Sequence, residues 1–139
     1  MKRLLVWSNL SWLLPFAIAV THYEVLWALM AGLMGFMSAI FHATERPWLR
    51  NLDTLFAVLF LVCGPYLLIS NQVGVAEWGI GVFVFVCALL VYFQSRKEWL
   101  KTSRVYTRKY IFWHTIWHLT SALLAMTIYL LAFTFSAVL

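Results

Sequence analysis

The sequence predicts an all-α fold class, a polytopic membrane bundle of about five transmembrane helices. Three observations lead there. Of the 139 residues, 64% are hydrophobic and 11% charged, with a mean hydropathy of +0.87, more apolar surface than a water-soluble domain of this length buries. The apolar residues fall into five runs, each close to the ~20 residues that a spanning helix takes. All 10 Lys and Arg residues lie in connections that share one side of the membrane if the spans number five.

The first span is expected at about 4–20, behind Met1, Lys2 and Arg3. Its basic start resembles that of a signal peptide, but no small-x-small cleavage site precedes the next apolar run, so it reads as a retained span. After Thr21-His22-Tyr23-Glu24, the second span at 25–44 carries Ala31, Gly35 and Ala39 at four-residue spacing. Such a small-residue face lets another helix approach closely. A polar stretch at 45–51 leads to the third span at 52–70, where Gly64-Pro65 predicts a kink, because proline removes a backbone donor and crowds the preceding turn. A turn at Asn71-Gln72-Val73-Gly74 precedes the fourth span at 75–94. The one long polar connection, 95–110, precedes the fifth at 111–135. The whole chain, 1–139, reads as a single transmembrane domain. Trp48, Trp78, Trp99 and Trp113 fall near predicted helix ends, as interfacial aromatics do. Cys63 and Cys87 lie inside apolar runs and read as small hydrophobes.

Sidedness follows from charge. Lys2 and Arg3, then Arg46 and Arg50, then Arg96, Lys97, Lys101, Arg104, Arg108 and Lys109 place the N-terminus in the cytoplasm and the C-terminus outside. Four or six spans would scatter these cations over both sides. The last six, interleaved with Trp99, Tyr106 and Tyr110, either rest on anionic lipid headgroups or serve only to set topology. The net charge of +5 is therefore a matter of membrane orientation, and no nucleic-acid partner is expected.

Ionisable groups inside a bilayer are costly and therefore informative. Within the spans, towards their cytoplasmic ends, these are His42, Asp53, His114 and His118. His114 and His118 are four residues apart, on one helical face. Counted from the span edges at ~1.5 Å per residue, the three histidines lie within ~12 Å of the cytoplasmic boundary, with Asp53 almost on it. Ser38 precedes His42 by one turn and reaches the depth of His118. Taken singly, each histidine would be an interfacial hydrogen-bonding residue, Asp53 an N-cap partner and Ser38 helix-packing glue. His22, on the outer side without polar company, keeps that simple reading. Together the set points to a metal centre. Three imidazoles plus a water form a catalytic zinc set, since the fourth position stays open.

The stretch Ser38-Ala39-Ile40-Phe41-His42-Ala43-Thr44, followed by Leu52-Asp53, resembles the S-x-x-F-H-A-T and L-D signature of the alkaline ceramidases. His114-Thr115-Ile116-Trp117-His118 resembles their H-x-x-W-H motif. These enzymes share the Ser, three His and Asp pattern with progestin and adipoQ receptors and haemolysin III proteins in the CREST superfamily. The chain has about half their usual length and five spans where seven are usual, and it lacks an acidic N-terminal segment like the one that binds calcium in the ceramidases. The resemblance implies Zn2+ on His42, His114 and His118, with Asp53 and Ser38 beside the metal-bound water as catalytic groups. It implies hydrolysis of an amide, or an ester, of an N-acyl lipid such as a ceramide near the cytoplasmic face. Two other classes stay open: a zinc-containing lipid receptor or sensor without turnover, and a membrane-remodelling protein. A homodimer is also expected, with the Ala31, Gly35 and Ala39 face used either inside the protomer or between protomers.

Overall fold

The computed structural model describes residues 2–22, 24–102 and 106–133, and among these it contains helices and no strand. The first span consists of α1 (Lys2–Ser8), a 3-10 turn at Asn9–Trp12 and α2 (Leu13–Thr21). The other four are α3 (Val25–Thr44), α4 (Pro47–Ser70), α5 (Val75–Lys101) and α6 (Arg108–Phe133). Five segments, Arg3–Thr21 and these four helices, are long and apolar enough to cross a membrane.

The second span lies where hydropathy places it, whereas α4 starts earlier than residue 52 and α5 runs on past residue 94 to Lys101. Hydropathy marks only the part of a helix that suits hydrocarbon. The backbone bonds continue through the polar turns, where buried Glu98 accepts ion pairs from Lys101 at 3.8 Å and Lys109 at 3.3 Å. Most of the expected polar connection 95–110 is therefore helix. Arg104 and residues 134–135, the end of the expected fifth span, lie outside the described residues.

The broken first span has a local cause. Pro15 has no N–H to offer the Ser11 carbonyl and its ring crowds that carbonyl. Meanwhile short polar side chains take up backbone carbonyls: Ser8 Oγ and Asn9 Nδ2 both donate to Leu5 O, at 2.9 and 2.7 Å, and Ser11 Oγ donates to Ser8 O at 2.7 Å. Such bonds compete with regular α-helix and favour a tighter turn. The turn carries Trp12 against Gly35 of α3, where an added Cβ would stand 2.7 Å from Trp12 Cβ. At Gly35 the small-residue face of the second span thus meets the first span of the same chain.

Two junctions set the register of the site. At the end of α3, Glu45 adopts a left-handed conformation (φ 57) and closes the helix through its N–H to Phe41 O. Arg46 is extended, as the residue before a proline must be, and Pro47 opens α4 at a position where its missing N–H costs nothing. This short link holds His42 and Asp53 at the same end of the bundle. At the opposite end Gln72 (φ 52) makes the turn between α4 and α5.

α6 is the central helix. Half of its spanning window is buried, against 17% for α4 and 11% for α5. α4 is continuous through Pro65, and buried Gly64 marks a close approach to α6, with Ile128 Cδ1 2.8 Å from where a Cβ would stand. Tyr129 is fully buried and lies near the ring of exposed His22 at 5.8 Å. His22 therefore belongs to the end away from the other three histidines.

Candidate metal centre

His42 comes from the last turn of α3, and His114 and His118 from one face of α6. The rings of His114 and His118 are 4.8 Å apart and nearly perpendicular, and the His42 ring faces both at 5.0 and 5.2 Å. His42 Nε2 is 3.2 Å from Nε2 of His114 and 3.3 Å from Nε2 of His118. His114 and His118 both turn Nε2 towards Nε2 of His42, ligand nitrogens of the three lie within 4.8 Å of one another, and the group can hold a metal ion.

The two spacings to His42 fit that use. Nitrogens bound at about 2.0–2.1 Å by a tetrahedral ion stand about 3.3 Å from one another. The second nitrogen of His114 is compatible with that use: Nδ1 lies 3.0 Å from Ser95 Oγ. With the Nδ1 proton donated to that hydroxyl, Nε2 is left bare as a ligand, the usual arrangement behind a metal-binding histidine. His42 and His118 are buried and His114 is half-buried.

Beside the triad stand the two other expected residues. Ser38 is buried one turn before His42. Its Oγ closes no well-formed hydrogen bond, although the Asp53 carboxyl of α4 comes near enough to interact with it. Asp53 is outside the ligand group and instead lines a cavity of about 540 Å³ together with His114, Ser95, Tyr92 and Trp117. A second cavity of about 210 Å³ is apolar, walled by Phe60, Pro65, Leu68, Trp78, Leu124 and Ile128. Leu61 lines both. The two together follow the seam between α4, α5 and α6.

At the basic end, Trp99 stacks on Tyr106 and Tyr110 at 5.2 and 4.7 Å, so these rings pack on one another under Leu5 and Ile111. Burial, and then the nearby Glu45 carboxylate, push the Tyr106 phenol above its ordinary range and keep it a neutral donor.

Ser38, His42, Asp53, His114 and His118 are thus brought to one end of the bundle, as their depths along the helices predict. Ser95 was not expected there, because hydropathy assigns it to a loop. The signal that finds it is helical continuation: one further turn of α5 brings a hydroxyl to the level of His114. The chain matches no family model, no curated protein and no solved structure, so the chemistry of this centre rests on its own geometry.

Proposed function

We propose that this chain is a zinc-dependent intramembrane hydrolase that cleaves an amide, or an ester, of a membrane lipid. The observation that carries the reading is the convergence of three Nε2 atoms beside an acid and a hydroxyl that are not ligands. A purely structural metal site needs neither Asp53 nor Ser38. Zinc suits three neutral imidazoles with one position left open. When bound, it supplies Lewis acidity that acidifies a water and polarises a carbonyl.

The protein residues would divide the remaining work. Ser95 orients His114. Asp53 accepts a proton from the attacking water and returns it to the amine, so the acyl carbon gains an oxygen as its bond to nitrogen breaks. Ser38 donates a hydrogen bond to the carbonyl oxygen as charge develops on it. The acyl chain follows the apolar cavity between α4, α5 and α6. The resemblance of the motifs around His42 and His118 to those of alkaline ceramidases favours an N-acyl lipid. The charge pattern favours a centre near the cytoplasmic face, and reporter fusions at both ends test this: a cytoplasmic signal from the C-terminal fusion would reverse the orientation or the span count. The deciding assay is fatty-acid release from a panel of N-acyl and O-acyl lipids by the zinc-loaded protein, with Asp53→Asn as control. Equal traces from both proteins on every lipid would replace the hydrolase with a metal-containing lipid sensor.

A further inference from the structure

The cavity beside His114 and Asp53 has two arginines in its wall, Arg50 on α4 and Arg96 on α5. Sidedness alone accounts for cations at this end of the bundle, but not for which of them share the cavity. Arg46, Lys97, Lys101, Arg108 and Lys109 do not line it, and Lys101 and Lys109 are paired with Glu98. Arg50 and Arg96 have no carboxylate within salt-bridge distance among the described residues. Each is also tied by sequence to the centre. Arg50 is one turn before Asp53, and Arg96 is next to Ser95, the hydroxyl that meets His114.

A guanidinium is a planar fork of donors that matches the oxygens of a phosphate, and it gives up its hydration more readily than an ammonium. Two such forks on two helices can hold one headgroup from both sides. The wall also contains the carboxylates of Glu45 and Asp53, and Glu45 is engaged by other groups. With a divalent ion on the histidines, positive groups outnumber negative ones around the cavity. The adjoining apolar cavity, reached past Leu61, takes a hydrocarbon chain and not a second charge.

On the reading of this centre as a lipid site, we infer that Arg50 and Arg96 form a headgroup clamp, and that the lipid it takes carries an anionic, phosphate-type head. The head sits between the two guanidiniums, the acyl bond lies deeper beside Asp53 and the histidines, and the tail follows the α4–α5–α6 seam. This narrows the substrate from neutral ceramide-like lipids to phosphate-bearing N-acyl or O-acyl lipids.

The test uses hexadecyl phosphate and the neutral hexadecyl glycerol ether. Neither has a carboxylic amide or ester, so binding is read independently of turnover. Retention of each labelled amphiphile by the full-length zinc-loaded protein in neutral detergent should favour the phosphate by about tenfold or more. The Arg50→Gln/Arg96→Gln protein should lose that preference. Arg46→Gln/Lys97→Gln, which removes the same charge from the same end but outside the cavity, should keep it. Metal content confirms that each variant is folded, and the single Arg variants, each expected to lose part of the preference, serve if the double variant does not fold. Equal affinities in the wild type overturn the clamp, as does a preference that survives in Arg50→Gln/Arg96→Gln or falls equally in Arg46→Gln/Lys97→Gln. Inorganic phosphate should not displace hexadecyl phosphate; displacement at equal concentration would make this a free-anion site and overturn the lipid assignment. Should fatty-acid release fail on every lipid while the preference holds, the hydrolase reading falls and the clamp stands.

Discussion

The two ends of the bundle use the same helices but bury different chemistry. Away from the basic end, α6 packs Ala125, Ile128, Tyr129 and Ala132, and its neighbours supply Phe60, Trp27 and the close approach at Gly64. At the basic end the same helix carries His114, His118 and Ser121 towards Ser38, His42 and Ser95. Unpartnered buried polar atoms occur at both ends, and their kinds differ. At the first end they are Trp27 Nε1 and the Tyr129 hydroxyl, the tips of large rings whose bodies fill the core. At the other they include His42 Nδ1 and Thr115 Oγ1, and buried Ser38 has the Asp53 carboxyl for its neighbour. Ser38 and Thr115 have little apolar body to justify burial, and a hydrophobic residue of similar size would fill the space at lower cost. One end is filled by large apolar side chains, whereas the other buries small polar groups around three histidines that can hold a metal ion.

That contrast is broken most directly at the histidines. His114→Ala/His118→Ala should take bound metal from one ion per chain to nearly none and abolish turnover, and each single His→Ala change should remove most of the metal. Elemental analysis of purified protein reads this directly. Full stoichiometry in the double variant would mean that the three Nε2 atoms are another packing arrangement.

Asp53→Asn comes next. It should leave the metal in place and lower turnover by ~100-fold or more, the scale of a lost general base. Ser38→Ala should also keep the metal and cost a comparable or smaller factor. Metal loss in Asp53→Asn would make the acid a ligand and remove the distinction between holding the ion and handling protons.

Much of this division was legible in the sequence because depth in a membrane helix can be counted. His42, His114 and His118 are rare polar groups in apolar runs, and the α3–α4 link around Pro47 is too short to let Asp53 stray from them. The bundle's span count was likewise legible from hydropathy and charge together. Three features were not. Pro15 and the polar side chains before it break the first span, an effect that hydropathy averages away. The partner of the Ala31 and Gly35 face depends on which helices meet, and spacing along one helix does not encode that. Ser95 and Arg96 sit where α5 continues beyond the hydrocarbon, so a hydropathy boundary assigns them to a loop. The first two set how the first span packs on α3, while the third adds a hydroxyl and a guanidinium beside the three histidines.

Ser95→Ala sharpens the contrast on a smaller scale. Removing the hydroxyl 3.0 Å from His114 Nδ1 should weaken metal binding by about 10–100-fold, the usual cost of losing such an outer-shell partner. Ser95→Thr keeps the hydroxyl and should restore most of the affinity. Competition with a chelator of known affinity measures both. Unchanged affinity in Ser95→Ala would assign the contact to helix packing between α5 and α6.

The smallest effect at the metal is expected from Gly35→Ala, which tests whether the packing end is separate from the site. A Cβ at Gly35 would stand 2.7 Å from Trp12 Cβ and 3.3 Å from Asn9 O. Neither atom can rotate away, because one is the root of its side chain and the other is backbone, so α3 and the first span must move apart by a few tenths of an ångström. Overpacking of this kind costs about 1–3 kcal/mol, and the change should appear as a lower midpoint of thermal unfolding in detergent. Gly64→Ala is the milder companion, since its nearest atom is the flexible tip of Ile128 at 2.8 Å. The shift at Gly35 can reach the centre through α3 itself, which carries Ser38 and His42 one and two turns further on, and through Ser11, next to Trp12, whose Oγ lies 3.4 Å from the His118 carbonyl. The Ser11 contact is long and touches backbone, not the imidazole, and a displacement of a few tenths of an ångström in α3 is small enough for the His42 side chain to take up by rotation. Gly35→Ala should therefore lose stability and keep one metal per chain with wild-type affinity. If it instead loses metal as His114→Ala does, the broken turn of the first span is part of what holds His118 in place, and the two ends act as one unit.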